Sequence, residues 1–294
     1  MKSITYCPIC NSKQERWSIV NAEIAQFLVE RIFNNANSEP VFLIQCKECS
    51  FLFFNPRLEQ KEMSAIYTNY RDENYQKQRQ KYEKGYTAEI NYNIGFCSDQ
   101  MKIRKQNLLN ILTTTIGMDK IHDVLDFGGD MGQYIPDEIP EKYVYEISDV
   151  QAIKGVTMFK KLPDKKFDFI MCAHVLEHVP APQEIIAQIK KVSRPDSVIY
   201  LEVPQEFYPS NLLKAYGKQI LFSYFPWLMA MTKYKPIMHE HINFFSLKSV
   251  EKLCSNNSLD ILYSQIKKID YGYGETRLIC CLARPNIKNR VGYE

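Results

Sequence analysis

The sequence predicts an α/β fold with an open, mostly parallel sheet and a small cysteine-containing module at its amino terminus. Three observations support this fold class. A short apolar strand, a glycine-rich turn and a second strand follow one another over residues 124–146. Further apolar strands are expected near residues 167–172 and 197–203, with a helical segment between them. Two Cys-x-x-Cys pairs precede all of these elements.

The turn after the first strand has the composition of a nucleotide-binding loop. It begins with Asp126 and Phe127 and contains three glycines: Gly128, Gly129 and Gly132. Glycines allow a sharp bend and let a ligand approach the backbone amides, because no Cβ lies in the way. Glu146 follows Asp126 by twenty residues, at the end of the next strand. A carboxylate there can accept both hydroxyl hydrogens of a ribose. One or two turns of helix are expected between the glycine turn and that strand.

Composition favours an ordinary globular protein. With 294 residues, the chain can form one large domain or two unequal ones, and two is the better expectation. The chain has 37 lysines and arginines and 34 acidic residues, so its net charge is +3. This charge gives no electrostatic argument for nucleic-acid binding. The amino terminus lacks the apolar run of a signal peptide, and no apolar stretch approaches the length of a membrane span. We therefore expect a cytoplasmic protein.

Four of the nine cysteines form two C-x2-C pairs separated by 35 residues: Cys7, Cys10, Cys46 and Cys49. Each pair can form a tight knuckle, and two knuckles supply the tetrahedral sulfur shell that Zn²⁺ prefers. Unligated thiols or a redox pair are the alternatives. The other five are scattered and do not suggest a disulfide framework: Cys97, Cys172, Cys254, Cys280 and Cys281. Because no catalytic cluster lies nearby, we expect the zinc to be structural.

Residues 1–57 are predicted to form this zinc-ribbon module, closed by Asn55-Pro56. The expected elements within it are a helix over residues 21–33 and strands over 41–45 and 51–54. Residues 58–92 are polar, tyrosine-rich and helical in pattern. They form either a solvated linker or a lid in which Tyr70 or Tyr75 covers a ligand.

The remainder, residues 93–294, is predicted to form the sheet domain. The expected helices cover residues 101–116, 182–192 and 247–255, and the expected strands lie near 122–127, 143–147, 155–157, 167–172, 197–203, 259–268 and 276–283. Only about eight residues separate Glu146 from the third of these strands, whereas parallel strands normally need a dozen or more. Either that crossover is a loop or the strand is misassigned.

The apolar, aromatic segment over residues 205–232 interrupts the sheet pattern. We expect a helical cap over the substrate pocket, inserted at about residues 205–238, or a dimer face. The alternative is a surface that makes peripheral contact with a membrane or a lipid-linked substrate.

Four of the five histidines fall into two short motifs that also contain glutamate. His174 and His178 follow the fourth strand of the sheet, and His239 and His241 precede the late helix. Both motifs belong near the carboxyl edge of the sheet, where open α/β folds bind ligands. Hydrogen-bonded structural histidines are the alternative interpretation.

The motifs LDFGGDMG, YVYE, FDFIMCAHVLEHV and SVIYLEVP, in this order, resemble a class I S-adenosylmethionine-dependent methyltransferase over about residues 91–285. The resemblance implies a Rossmann-like sheet closed by an antiparallel terminal hairpin. It implies cofactor contacts from Asp126, Phe127, Gly128, Gly129, Gly132, Glu146, Ala173, His174 and Tyr75. Asp130 replaces the middle glycine of the usual turn. Aspartate tolerates positive φ better than most residues, so we expect binding to survive.

The two cysteine pairs and the motif Glu240-His241-x-x-Phe244-Phe245 are similar to zinc-containing sugar methyltransferases of deoxysugar and surface-polysaccharide pathways. This resemblance implies that His241 is the general base. It also implies that Glu240 orients His241 or binds a hydroxyl group, and that His178 contacts the acceptor. Phe244 stands where tyrosine often occurs. The expected acceptor is small and polar, a nucleotide- or lipid-linked sugar.

Two alternatives remain open. A Glu-x-x-Glu-His motif binds a divalent ion in some quinone and RNA-end O-methyltransferases. Here His174 replaces the first glutamate, while Glu177, His178 and either His239 or His241 could complete a shell for Mg²⁺ or Mn²⁺. This would make the protein a metal-assisted O-methyltransferase of another small molecule or of RNA. The other alternative is a non-catalytic scaffold whose zinc ribbon binds a protein or nucleic acid.

Overall fold

The computed structural model describes residues 1–34, 39–70, 72–93, 98–206, 235–270 and 275–286. The strands are β1 (Trp17–Ile24), β2 (Val41–Cys46), β3 (Leu52–Asn55), β4 (Asp123–Phe127), β5 (Glu141–Tyr145), β6 (Thr157–Phe159), β7 (Phe167–Ala173), β8 (Ser193–Pro204), β9 (Ile237–Met238), β10 (Asn243–Phe244), β11 (Leu259–Asp270) and β12 (Glu275–Pro285). The helices are α1 (Gln26–Phe33), α2 (Gln60–Tyr67), α3 (Glu73–Tyr82), α4 (Ala88–Asn93), α5 (Ser98–Thr115), α6 (Pro182–Lys191) and α7 (Leu247–Asn256).

Seven strands form a large sheet in the spatial order β11-β12-β8-β7-β4-β5-β6. The five strands from β8 to β6 are parallel, and β12 runs antiparallel to both β8 and β11. Every residue of β4 is buried, as is typical of a central parallel strand covered on both faces. The predicted α/β fold, with a parallel sheet and antiparallel terminal strands, is confirmed.

Two connections in the large sheet differ from the usual βαβ crossover. The chain passes from β5 to β6 by a loop, and the third strand is displaced from residues 155–157 to Thr157–Phe159. Residues 128–140, all of them described, contain turns and bends and no helix, so the helical turns expected there are absent. Pro136 and Pro140 lie in this short connection, and proline removes a backbone donor that a helix interior would use.

The second sheet belongs to the amino-terminal module, where the predicted start of the first helix was wrong. Residues 17–24 form β1, and the helix predicted over residues 21–33 begins only at Gln26. Val20 and Ile24 are buried while Ile19 is exposed. β1 pairs along its length with β2, and this pairing satisfies backbone groups that a helix would have bonded internally. The strands predicted over residues 41–45 and 51–54 are observed as β2 and β3.

Distant parts of the chain complete this small sheet, whose order is β10-β3-β2-β1-β9. β9 pairs in parallel with the end of β1, and β10 pairs antiparallel with β3. Residues 239–242, which contain the second histidine motif, lie between these two edge strands. The sheet therefore includes residues on both sides of the predicted boundary at residue 57. The division into residues 1–57, 58–92 and 93–294 stays a prediction.

One hydrophobic core continues from the module into the large sheet. Phe51 packs against Phe53 and Phe245, with ring centroids 5.6 and 4.9 Å apart. The same buried cluster contains Leu125 and Phe127 of β4. Because these side chains share one core, we expect the two sheets to unfold together.

None of the helices in the described ranges combines the length and apolar character needed to cross a bilayer. Most of the cap predicted at about residues 205–238 falls on residues 207–234, which lie outside the described residues. The turn predicted between the last two strands, residues 271–274, also lies outside them.

Replacing Phe51 with alanine should destabilise both sheets, because this fully buried ring lies where their cores meet. We expect a loss of about 3–5 kcal/mol in the free energy of unfolding. Ile19→Ala is the matched control: Ile19 is 46% exposed, and its loss should cost less than about 1 kcal/mol. Urea denaturation followed by circular dichroism measures both variants. Two separate transitions in Phe51→Ala, with the later one unchanged, would contradict the shared core.

Candidate active site

The candidate site lies where β4, β7 and β8 end side by side, the edge at which open α/β sheets bind ligands. The chain leaves β4 into the glycine turn, β7 into His174 and β8 toward Glu206. Ala173, the last residue of β7, is paired in register with Glu202 of β8. Side chains that are far apart in sequence therefore meet at one edge.

The glycine turn is tight because several of its residues have a left-handed backbone. The φ angles are 71° at Gly128, 55° at Asp130 and 78° at Gly132. A Cβ on Gly128 would lie 2.7 Å from a methyl carbon of Val175, so only glycine fits against the segment that follows β7. Asp130 adopts the conformation itself, as aspartate can.

Asp126 lies beneath this turn with its carboxyl group unpaired. The side chain is buried, and neither carboxyl oxygen has a hydrogen-bond partner within the described part of the chain. A Cβ on Gly129 would lie 2.2 Å from the Asp126 carboxyl carbon, so the carboxyl group fills the space under the turn. Burial, only partly offset by Arg104, raises the pKa of Asp126 to about 7. A buried carboxyl group without a donor fits a ligand that brings a cationic ammonium.

Glu146 faces the turn from the neighbouring strand. One carboxylate oxygen accepts a hydrogen bond from the backbone N–H of Asp130 at 3.3 Å, and the other accepts from Ser148 N at 2.8 Å. Phe127, the last residue of β4, is buried, with its ring edge-on to Tyr145 at 5.0 Å. The structure thus brings Glu146, Phe127 and the glycines together, while their roles as cofactor contacts stay predictions.

His174 lies between two buried carboxylates. Its Nδ1 is 3.1 Å from Glu177 Oε1, and its Nε2 is 3.4 Å from Glu202 Oε1. Its φ of 56° is in the left-handed region, a conformation that costs free energy for histidine. Burial and Arg104 lower the pKa of His174, but the bonds to the two glutamates outweigh them and raise it to about 9. The His174 imidazolium is therefore the counter-ion of Glu177 and Glu202. The predicted contact of Ala173 and His174 with the cofactor stays a prediction.

Glu202 is the centre of a buried polar network at this edge. Arg104 of α5 donates to it through Nε at 3.1 Å, and the hydroxyls of Tyr134 and Tyr200 donate at 2.8 and 2.6 Å. The Arg104 guanidinium also lies over the Tyr134 ring, 4.1 Å from its centroid. The network ties α5, the segment after the glycine turn and β8 to one another.

The two histidine motifs meet at the same edge. The ring centroids of His178 and His241 are 4.5 Å apart. His178 Nδ1 lies 2.8 Å from the Tyr67 hydroxyl, and His241 Nδ1 lies 2.7 Å from Glu206 Oε1. The carboxylate that orients His241 is therefore Glu206. The structure does not place the Glu240 carboxylate on the His241 ring, and a role of Glu240 in binding a hydroxyl group stays a prediction.

Glu240 points instead toward α3. Its carboxylate accepts hydrogen bonds from the Tyr75 hydroxyl and from Arg79 Nη1, the latter at 3.1 Å. Tyr75 is fully buried, with its ring edge-on to Phe27 at 5.4 Å. These contacts bind the helical segment to the second histidine motif, which favours a lid over a solvated linker. Contact between Tyr75 and the cofactor stays a prediction.

The two histidines differ in how easily they are protonated. Burial lowers the pKa of His178. Burial also opposes protonation of His241, but the hydrogen bond to Glu206 outweighs it and raises the pKa of His241. His241 therefore accepts and holds a proton more readily than its neighbour.

Among the described residues, two groups of side chains could hold a metal ion. Glu177, His178 and His241 offer ligand atoms within 4.8 Å of one another. The other group is the four cysteines of the module: Cys7, Cys10, Cys46 and Cys49. The sulfur atoms of Cys7 and Cys49 are 3.6 Å apart, and those of the other two are 3.5 Å apart. A tetrahedral zinc site with bonds of about 2.3 Å needs separations of about 3.8 Å, whereas a disulfide needs about 2.05 Å. The four-cysteine cluster therefore fits a metal ion, as predicted.

This sheet order, with a glycine turn and a facing carboxylate at its carboxyl edge, defines an S-adenosylmethionine-dependent methyltransferase. Residues 68–264 match the model of a family described as "Methyltransferase domain", and the chain belongs to that family. The prediction of an S-adenosylmethionine-dependent enzyme is confirmed.

The chain is similar to curated relatives over short stretches. It is 32% identical to a ubiquinone biosynthesis O-methyltransferase of Haemophilus ducreyi over 62 residues, which is 21% of this chain and 26% of the relative. It is 51% identical to the Pasteurella multocida enzyme of the same name over 37 residues, 13% of this chain and 15% of that protein. The matched stretches thus span about a quarter or less of these relatives.

Solved structures are similar to this chain over a larger share of its length, but at low sequence identity. Magnesium protoporphyrin IX methyltransferase of Synechocystis has 14% identity and a TM-score of 0.48, covering 75% of this chain and 99% of that one. The 1,6-didemethyltoxoflavin-N1-methyltransferase of Burkholderia thailandensis has 13% identity and a TM-score of 0.49, covering 85% and 98%.

Sequence reasoning missed several residues of this site. The sequence could have indicated Glu202, because a glutamate inside the apolar run SVIYLEVP needs a buried partner. No sequence pattern indicated Tyr67, Arg104 or Glu206, because each reaches the site only through tertiary packing.

The ion pairs of His174 should make stability depend on pH. Because its folded-state pKa is raised to about 9, they stabilise the fold fully below the unfolded-state pKa of about 6.5 and are lost as pH rises through about 9. Between these values, the free energy of unfolding should fall more in the parent protein than in His174→Gln. Urea denaturation at about pH 6 and about pH 9.5 measures the difference. His122→Gln is the control, since the His122 side chain is 78% exposed and should leave the parent slope unchanged. Equal slopes in the parent and His174→Gln would contradict the ion pairing.

Proposed function

We propose that this protein transfers the methyl group of S-adenosylmethionine to a small polar acceptor, with His241 as the general base. The observation that carries the proposal is the pairing of His241 with Glu206 beside His178, at the sheet edge that also holds the glycine turn. A histidine backed by a carboxylate can take a proton and be stabilised as the imidazolium.

The cofactor supplies an electrophilic methyl carbon on a sulfonium that is already a good leaving group. The residues of this chain must therefore bind the cofactor, orient the acceptor and take up the proton that the acceptor loses. Asp126 is suited to bind the ammonium of the methionine moiety, because its buried carboxyl group lacks a donor. Glu146 is suited to accept the ribose hydroxyls, and Gly128 lets the cofactor approach the backbone.

On the acceptor side, His241 would remove the proton of the attacking group. Glu206 holds the ring by one nitrogen, which leaves Nε2 to face the acceptor. His178, whose lowered pKa favours the neutral ring, is suited to hydrogen-bond the acceptor together with Tyr67.

We propose a nucleotide- or lipid-linked sugar as the acceptor class. Hydroxyl, imidazole and carboxylate groups lie together at this site, and they suit an acceptor with several hydroxyl groups. The paired cysteine knuckles and the Glu240-His241-x-x-Phe244-Phe245 motif support the same class through their resemblance to sugar methyltransferases. We also propose that Cys7, Cys10, Cys46 and Cys49 bind a structural Zn²⁺.

The second candidate is a metal-assisted O-methyltransferase of another small molecule. It is supported by the convergence of Glu177, His178 and His241, an oxygen and imidazole set suited to a divalent ion. The similarity to ubiquinone biosynthesis O-methyltransferases supports it as well. In this version His241 and His178 bind Mg²⁺ or Mn²⁺, and His241 cannot also serve as the base.

Asp126→Asn should weaken cofactor binding, because the amide is nearly isosteric but cannot offer a negative charge to an ammonium. Hydrogen bonds to charged groups contribute about 1.5–3 kcal/mol, so we expect about a 10- to 100-fold rise in Kd by isothermal titration calorimetry. Asp164→Asn, an exposed change in the connection that enters β7, is the charge-matched control. Unchanged affinity in Asp126→Asn would remove this residue from the cofactor site.

His241→Ala should lower methyl transfer by about 100-fold or more, the usual contribution of a general base. The assay supplies labelled cofactor and a panel of nucleotide sugars, with the parent protein alongside. Persistent transfer in the variant would exclude His241 as the base. If instead Mg²⁺ or Mn²⁺ stimulates the parent and not the variant, the second candidate is favoured.

Glu206→Gln should move the pH profile rather than abolish activity. A base must be neutral to act, so the raised pKa of His241 makes kcat/KM rise at a higher pH than an ordinary histidine would. Without the carboxylate that raises this pKa, the rise should shift to lower pH. Glu184→Gln, an exposed change on α6, is the control and should leave the profile unchanged. An unshifted profile in Glu206→Gln would show that another group sets the pH dependence.

A further inference from the structure

Helix α3 lacks the apolar stripe that usually attaches a helix to the rest of a protein. Its ten residues contain no aliphatic side chain, and only Tyr75 and Gln76 among them are buried. A helix of this composition depends on hydrogen bonds and ion pairs for its position. The side chains of α3 make such contacts with two different parts of the chain.

One side of α3 binds helix α1. Lys81 Nζ lies 2.6 Å from Glu30 Oε2, and Gln78 donates to Glu30 Oε1 at 3.4 Å. Arg31 of α1 donates through Nη1 to Gln78 Oε1 at 2.9 Å. The Lys81 side chain is 59% exposed. Because water and salt screen exposed ion pairs, this side is the weaker attachment of the helix.

The other side of α3 binds the second histidine motif. Tyr75, Arg79 and Glu83 are spaced four residues apart, so they lie on one face of the helix and of its carboxyl end. Arg79 Nη1 donates to Glu240 Oε1 and to the Tyr75 hydroxyl, both at 3.1 Å. Arg79 Nε donates to Glu83 Oε2 at 2.9 Å, and Glu83 Oε1 lies 2.6 Å from His239 Nε2. Arg79 is therefore the centre of this attachment.

The ion pair between Arg79 and Glu240 is largely removed from water. Each side chain is only 13% exposed, so salt screens this pair less than an exposed one. The Arg79 guanidinium also lies over the Tyr86 ring, 4.0 Å from its centroid. Burial raises the pKa of Glu240, but Arg79 and the Tyr75 hydroxyl outweigh burial and lower it, so the carboxylate stays ionised.

The residues that α3 binds adjoin the active site. His239 and Glu240 come directly before His241. The backbone oxygen of Glu240 lies 3.2 Å from His178 Nδ1. Because a carbonyl oxygen only accepts, this contact favours the form of the His178 ring with its hydrogen on Nδ1. A shift of the Glu240 backbone would therefore change the hydrogen bonding of the His178 ring.

We infer that Arg79 is a positioning residue that anchors α3 to the second histidine motif and thereby fixes the backbone of residues 239–241 beside His178. By holding the Glu240 side chain, it keeps the Glu240 carbonyl oxygen against the His178 ring. This inference rests on the proposed function for the importance of the two histidines, although the positioning itself can be measured without methyl transfer.

The test compares Arg79→Met and Arg79→Lys with the parent protein. Arg79→Met removes the charge and the donors, so the backbone amides of residues 73–82 should exchange with deuterium about tenfold faster or more. The imidazole signals of His178 in ¹H–¹⁵N spectra should move, and methyl transfer to the nucleotide-sugar panel should fall. Arg79→Lys keeps the charge but lacks the planar fork that reaches Glu240 and Glu83 together. It should restore most of the amide protection and leave the His178 signals displaced.

Lys77→Met is the control on the same helix. Lys77 pairs with Glu73, and its side chain is 65% exposed. Neither the amide exchange of residues 73–82 nor the His178 signals should differ from those of the parent protein.

Parent-like amide exchange and parent-like His178 signals in Arg79→Met would overturn the inference. Faster exchange with unmoved His178 signals would overturn it too, because α3 would then be anchored without positioning the site. Should Arg79→Met fail to fold, Arg79→Lys still decides the matter, since its His178 signals must move. Faster exchange and displaced signals with unchanged methyl transfer would support the positioning and contradict the proposed function of the two histidines.

Discussion

The pairing of β10 with β3 is the constraint on which the candidate active site depends. β10 is only two residues long, yet it joins the edge of the small sheet and carries the buried Asn243. Asn243 bonds the loop after β7, and His241 lies two residues before it. The amino-terminal module is therefore part of the scaffold of the site. Backbone contacts on either side of His241 add to this pairing: the Ile242 N–H donates to Glu177 O at 3.0 Å, and His178 Nδ1 lies 3.2 Å from Glu240 O.

A second constraint is electrostatic. Most charges at the carboxyl edge of the large sheet are balanced within the chain: His174 lies between Glu177 and Glu202, and Arg104 bonds Glu202. Glu177 and Asp126 are both buried without a hydrogen-bond donor among the residues described, but Glu177 has the His174 ring 3.1 Å away. Asp126 differs because no ion pair with it is found among those residues, and its pKa is raised to about 7. We propose that this buried acid pairs with the methionine ammonium of the cofactor.

The sequence predicted the large sheet well because its strands are short apolar runs separated by turn residues, and buried parallel strands have few other options. The cysteine cluster followed from spacing alone. The helix predicted over residues 21–33 was wrong at its start. Residues 17–22 pair with β2, 19 to 29 residues further along the chain, and this pairing overrides a local helical pattern. Tertiary contacts also explain why Glu206 and Tyr67 could not be predicted as site residues. Each becomes part of the site only when distant segments pack, and neither stands in a motif whose spacing indicates a role.

The central claim is that the glycine turn and Glu146 hold the cofactor while His241 faces the acceptor. A crystal structure of the protein with S-adenosylhomocysteine tests it most directly. The account predicts ribose hydroxyls on Glu146, the ammonium on Asp126, and the sulfur directed toward the space beside His241. A nucleoside bound elsewhere, with the Asp126 carboxyl group still unpaired, would contradict it.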